Sequence, residues 1–117
     1  MEFNNWLGVK MTEKVYNKLV RDRIPEIIDN DGKSSKVREI NGDELKRALV
    51  EKLSEEGREY LECMDSEELA DILEVLYALI ESNGSTLEEI EAIRQSKKDK
   101  RGGFSKGIFL ESVLDID

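Results

Sequence analysis

Residues 43–82 read DELKRALVEKLSEEGREYLECMDSEELADILEVLYALIES, and their apolar positions recur at helical rather than strand spacing. Leu45, Leu49, Leu53, Tyr60 and Met64 fall on one arc at roughly 100° per residue. They predict a long helix from about Asp43, a good N-cap residue type, to about Met64. Asp65 or Ser66 caps a second helix that reaches about Ser82 and is stopped by Asn83-Gly84. Its wide apolar face comprises Leu69, Ile72, Leu73, Leu76, Leu79 and Ile80. A turn this short makes the two helices antiparallel neighbours.

Outward from this pair, the remaining chain is also punctuated for helices. Ser85 or Thr86, followed by Glu88-Glu89, opens a helix to about Lys98. Pro25 suits the first turn of a short helix ending near Asn30, where Asp31-Gly32 signals a turn. Lys36 to Ile40 suits a short extended piece, and Arg101-Gly102-Gly103-Phe104 a glycine-hinged turn before a mixed tail. The expected fold is all-α: an antiparallel helical bundle of about four helices, oligomerising, with a short irregular C-terminal segment. Oligomerisation is expected because so few amphipathic helices leave apolar surface uncovered.

Residues 1–11 fit poorly with the helical chain after them and are expected to be a leader or arm ahead of a domain at 12–117. Gly8-Val9-Lys10 can be encoded by a purine-rich, ribosome-binding-like stretch, which makes Met11 a plausible start. Alternatively, Phe3, Trp6 and Leu7 pack on the domain as a genuine arm.

Composition excludes several function classes. The net charge is −9 and the sequence pI about 4.7, which argues against a broad nucleic-acid interface built on clustered lysine and arginine. Histidine is absent, so neither a Ser-His-Asp nor a Cys-His mechanism is available, and no imidazole can ligate metal. The single Cys63 makes no internal disulfide or thiolate cage and is expected to be a small packing residue. A resident metal would need oxygen ligands, pointing to Mg²⁺ with Mn²⁺ as a substitute. No signal peptide or membrane span is visible, which predicts a cytoplasmic protein.

Within the helical pair lie Glu55-Glu56-x-x-Glu59 and Glu68-x-x-Asp71. Acids three residues apart on a helix project to one side, about 5 to 6 Å apart at Cβ. Glu56 falls inside the first helix's apolar arc, with Lys52 and Glu59 at its edge and Glu55 further out. Glu68 falls within the second helix's apolar face, and Asp71 borders it. Glu67, Glu74 and Glu81 point to the opposite, wet side. Carboxylates directed at a helix–helix seam repel one another unless a cation sits among them, whereas the same acids on a wet face would be ordinary.

Basic residues near these acids have two readings each. Lys52, one turn before Glu56, either balances the acids as an i, i+4 pair or touches a phosphate. Lys97, Lys98, Lys100 and Arg101 either complement the helix macrodipole or fold back over a phosphate beside Phe104, itself better read as core than as a lid. In YNKLVRDRIP, residues 16–25, Tyr16, Leu19, Val20 and Ile24 can pack inward. Asn17, Lys18, Arg21, Asp22 and Arg23 form either a solvated helix start or a donor-rich grip for phosphates and polar groups of a sugar or base.

Lys52-Leu53-x-Glu55-Glu56-x-x-Glu59 followed by Glu68-Leu69-Ala70-Asp71 resembles the EExxE…ExxD signature of the MazG-like, all-α nucleoside triphosphate pyrophosphohydrolases. The leading YNKLVRDRIPEII and the trailing KxxRGGFxKGIxL resemble the phosphoribosyl-ATP pyrophosphohydrolase-like subgroup. Together the three blocks span about Tyr16 to Leu110. The resemblance implies a helical homodimer or homotetramer that cleaves a nucleoside triphosphate between the α and β phosphates, releasing the monophosphate and pyrophosphate. It implies that Glu56, Glu59, Glu68 and Asp71 hold Mg²⁺. It casts Glu55, with Glu56, as catalytic, Glu55 positioning or deprotonating the water. It further implies phosphate contacts from Lys52, Lys98 and Arg101 and substrate contacts from Asn17, Lys18, Arg21 and Asp22.

The expected function is therefore Mg²⁺-dependent nucleotide pyrophosphohydrolysis, plausibly cleansing the nucleotide pool, with no nucleic-acid or membrane partner. Two alternatives stand beside it. One is phosphoribosyl-ATP hydrolysis in histidine biosynthesis; the other is a non-catalytic helical module whose acids hold a structural cation.

Overall fold

Asp65 and Thr86 set the starts of two helices, each through its own side chain. In the computed structural model, Asp65 Oδ1 accepts a hydrogen bond from the Glu68 amide at 3.1 Å. Thr86 Oγ1 accepts from the Glu89 amide at 3.2 Å. Each satisfies an amide that the first helical turn leaves without an intrahelical acceptor. The structure describes residues 2–4, 7–8 and 10–116, apart from the Phe3 side chain.

The described residues are mostly helical where they are regular. Four helices come after a short hairpin: α1 (Ile24–Asn30), α2 (Gly42–Cys63), α3 (Ser66–Ser82) and α4 (Leu87–Arg101). The hairpin pairs β1 (Glu2–Asn4) with β2 (Lys10–Thr12) antiparallel, in the register Glu2 to Thr12 and Asn4 to Lys10. Part of the 1–11 segment thus pairs with the residues around Met11. Leu7 is largely exposed, while Trp6 and the Phe3 side chain lie outside the described residues. Lys36 to Ile40 join no strand.

The chain divides into two compact units, Met1–Leu79 and Ile80–Asp117. In the first, α2 begins one residue before the expected Asp43. Its N-cap is Asn41, in extended conformation and without a side-chain cap bond. Of the two acids in this first turn, Asp43 and Glu44, the second is tied elsewhere: Arg38 grips both oxygens of Glu44, at 3.1 and 2.6 Å. Only Met64 and Asp65 separate α2 from α3, with Met64 left-handed at φ 53°.

The apolar core of this unit is thin. Leu49 and Val75 are buried, and Leu45, Leu53, Tyr60 and Ile72 are half-buried. Met64, expected on the apolar arc, is exposed because α2 ends just before it. Leu69, Leu73, Leu76 and Tyr77 also remain exposed along α3, so much of its apolar face is uncovered.

In the second unit, Gly84 ends α3 at φ 73°. Its amide bonds the Glu81 carbonyl and the Ser85 amide bonds the Ile80 carbonyl, the Schellman arrangement at a helix C-terminus. Residues 102–116 carry no helix or strand. Phe104 is 99% exposed and is not a core residue, because the irregular tail folds nothing over it. No helix among the described residues is long and apolar enough to cross a membrane.

Candidate metal centre

The two-residue connection brings the second half of α2 beside the first turns of α3. Glu56, Glu68 and Asp71 each offer a carboxylate oxygen, and these oxygens lie within 4.8 Å of one another. Glu56 is 6% exposed, and Glu68 and Asp71 are half-buried. Glu56 Oε2 and Glu68 Oε2 are buried and have no hydrogen-bond partner among the described residues. A buried carboxylate oxygen without a donor is disfavoured by roughly 1–3 kcal/mol or more. Something positive is called for at this point.

The electrostatics agree with the geometry. Loss of solvent pushes the Glu56 carboxyl up from its ordinary value, and the adjacent Glu59 carboxyl pushes it further, against Lys52. Glu68 is likewise raised, first by desolvation and then by the charge of Glu59. Both shifts have the sign expected of carboxylates crowded together without enough positive charge.

Glu59 is half-buried and sits close enough to raise both neighbours, but it is not in the three-oxygen cluster. A divalent cation at about 2.1 Å from its oxygens spaces them about 3 to 4 Å apart, so the three acids need little adjustment to hold one. The donor set is all oxygen, which suits Mg²⁺ or Mn²⁺.

Among the described residues, three cations pair with these acids and Glu55. Lys52 Nζ lies 3.3 Å from Glu56 Oε1 and 3.5 Å from Glu55 Oε2, with little of its side chain exposed. The other two come from far away in sequence. Lys18 Nζ donates to Glu55 Oε1 at 3.0 Å, and Arg21 Nη2 donates to Asp71 Oδ1 at 2.6 Å. The irregular segment before α1 therefore lies over the acid site.

This cover reverses one ranking expected from helical geometry. Glu55, farthest from the apolar arc, has a side chain only 25% exposed, whereas that of Asp71 is 38% exposed. Lys18 also holds the Glu55 carboxyl below its ordinary value, and is itself raised by the same bond.

The remaining candidate residues fall in distinct places. Asn17 is exposed and left-handed at φ 46°, and Asp22 is exposed in the turn closed by the Ile24 amide on the Arg21 carbonyl. Leu19, Val20 and Ile24 are half-buried, but Tyr16 is exposed, with the Lys14 ammonium 5.0 Å from its ring centre. Lys98 and Arg101 belong to the second unit, in the last turn of α4.

Cys63 is exposed rather than packed, because it is the last residue of α2, where the chain turns toward α3. With Asp65 and Glu68 it forms a second ligand-capable set. Its thiol is pushed up by desolvation and by Asp65 and Glu68, which keeps it protonated and a poor ligand.

The N-terminal cover was the feature hardest to foresee. Its only sequence signal was the density of donors in residues 17–23, which gave no hint of which acids they would meet. No protein-family model matches the chain, and no curated protein or solved structure is similar enough to indicate kinship.

Proposed function

We propose that this protein is a Mg²⁺-dependent nucleoside triphosphate pyrophosphohydrolase of the MazG-like kind. The observation that carries the proposal is the convergence of Glu56, Glu68 and Asp71, with two buried carboxylate oxygens that no protein donor among the described residues satisfies. These three acids hold the cation, and Glu59 supports them from the α2 side. When bound, the cation neutralises phosphate oxygens and makes a nearby water more acidic.

The chain's own groups supply the rest. Lys52, between Glu55 and Glu56, keeps both carboxylates oriented and adds positive charge near the phosphates. Glu55 is the proton acceptor: its depressed pKa keeps it ionised, and separation from Lys18 restores its basicity. Water oxygen bonds to the α-phosphorus while the bond from that phosphorus to the bridging oxygen breaks. Pyrophosphate leaves with the bonding electron pair, the water's proton passes to Glu55, and a nucleoside monophosphate remains. Lys18 and Arg21, with Asn17 and Asp22 beside them, face the substrate. The resemblance also assigns phosphate contact to Lys98 and Arg101, which lie in the last turn of α4.

The helices assemble as an antiparallel bundle completed by further copies of the chain. The exposed Leu69, Leu73, Leu76 and Tyr77 on α3 support that arrangement. Sedimentation should therefore give a dimer or tetramer. A stable monomer would remove this part of the proposal.

The activity is tested by pyrophosphate release from nucleoside and deoxynucleoside triphosphates and phosphoribosyl-ATP, with Mg²⁺ and with chelator. Release from at least one of them that chelator abolishes is the expected result. No release from any of them rejects the enzyme.

A further inference from the structure

Lys18 and Arg21 occupy the acids from which an incoming cation must draw its ligands or its base. Arg21 donates to Asp71, one of the three clustered acids, and Lys18 donates to Glu55, beside the most buried one. We propose that these two side chains are the counter-ions of the metal-free site. A divalent cation displaces them, and only then are they free to take an anionic polyphosphate, so metal binds before nucleotide. The polyphosphate half of this proposal rests on the pyrophosphohydrolase function; the exchange of cations does not.

Four observations support an exchangeable strap rather than a fixed brace. Residues 17–21 belong to no helix or strand, so no ladder of backbone bonds holds them in place. The strap opens at Asn17 in the left-handed region, which a residue with a side chain adopts at some cost. The Lys18 and Arg21 side chains remain about half exposed, where solvent weakens an ion pair. Arg21 uses only Nη2 on Asp71, leaving its forked donors free for the paired oxygens of a phosphate. Lys52 differs: it is largely buried between two acids on its own helix and stays as a permanent countercharge.

The exchange also resolves a conflict within the site. Lys18 satisfies Glu55 but occupies its Oε1, and Arg21 satisfies Asp71 but competes for its oxygens. With the strap engaged, the metal-free protein avoids three-way repulsion. With it released, two cations face the substrate and two carboxylates return to the chemistry.

The test uses the full chain and Mn²⁺ alone, with binding read by calorimetric titration without nucleotide. Lys18→Met with Arg21→Met should tighten Mn²⁺ binding about tenfold, since the ion no longer displaces two tethered cations. Lys14→Met, which removes a charge placed over Tyr16, should change it less than about twofold. Tryptic cleavage supplies a measurement on the unaltered protein. Cleavage after Lys18 and Arg21 should be faster with Mg²⁺ alone and slow again when inorganic triphosphate is added. Unchanged or weaker Mn²⁺ binding in the double variant overturns the proposal, as does an equal gain in Lys14→Met. Strap cleavage that is unaffected or slowed by Mg²⁺ alone also overturns it. Absence of pyrophosphate release by the unaltered chain, with these binding results intact, would reject the enzymatic function and leave the cation exchange standing.

Discussion

Lys52 Nζ lies 3.3 Å from Glu56 Oε1, one helical turn along α2, while Glu56 Oε2 is buried with no partner among the described residues. One oxygen of this carboxylate is thus balanced by its own helix, and the other is left for a ligand. The pair explains how an acid can occupy the apolar side of a helix without unfolding it. Lys52 offsets part of the burial cost, and the unpartnered oxygen retains the remainder.

Glu56→Gln should raise the stability of the metal-free protein by about 1 kcal/mol, the order of the burial cost of one polar group. For a chain of this size that is a melting-temperature gain of roughly 4 °C. The same variant should lose metal-induced stabilisation and turnover. Thermal melts with chelator and with Mg²⁺ read both effects; a large loss of stability with chelator would mean that the acid is a structural ion-pair member. Asp71→Asn should be near neutral in the same melts, because it exchanges reduced repulsion for the loss of a partly exposed Arg21 pair.

The pH dependence arises from opposite shifts. Glu56 and Glu68 are raised above the ordinary 4.5, so the native state binds more protons than the unfolded chain in the window above 4.5. Stability from these groups therefore falls as pH rises through that window. Glu55, Glu44 and Glu91 are lowered by Lys18, Arg38 and Arg94, so their contribution is present above 4.5 and lost as pH falls through the depressed values. The melting temperature of metal-free protein should fall as pH rises above 4.5 toward 7, and Glu56→Gln should flatten the decline. A melting temperature that rises steadily from pH 4.5 to 7 would contradict the assignment of Glu56 and Glu68 as crowded acids.

Gly84→Ala probes the helix end that separates α3 from α4. At φ 73° a Cβ strains the backbone even though nothing lies within 4 Å of its place. The substitution should reduce stability by about 1 kcal/mol and leave Mg²⁺ affinity unchanged. An equal or higher melting temperature would show that the Schellman turn does not require glycine.

The helices were legible because their signals are local. Asp65, Thr86, Pro25 and Gly84 act within a turn of themselves, and the helical period placed Glu56 and Glu68 inward before any tertiary contact was known. The start of α2 was less legible, since Glu44 is occupied by Arg38 and no side chain caps the helix. The cover over Glu55 was not legible at all. Lys18 and Arg21 meet acids 37 and 50 residues away, and helical periodicity carries no information across such separations. The exposed Cys63 and Phe104 were misplaced for a related reason: apolar character marks a candidate for burial, and chain ends decide whether anything covers it.

The most direct test of the central claim is pyrophosphate release by the full chain from a panel of nucleoside triphosphates, deoxynucleoside triphosphates and phosphoribosyl-ATP. Each substrate is assayed with Mg²⁺, with chelator, and with Glu56→Gln in place of the wild type. Stoichiometric pyrophosphate and nucleoside monophosphate from at least one substrate, abolished by chelator and by Glu56→Gln, is the result predicted. Wild-type protein that binds Mg²⁺ yet releases no pyrophosphate from any of them would contradict it.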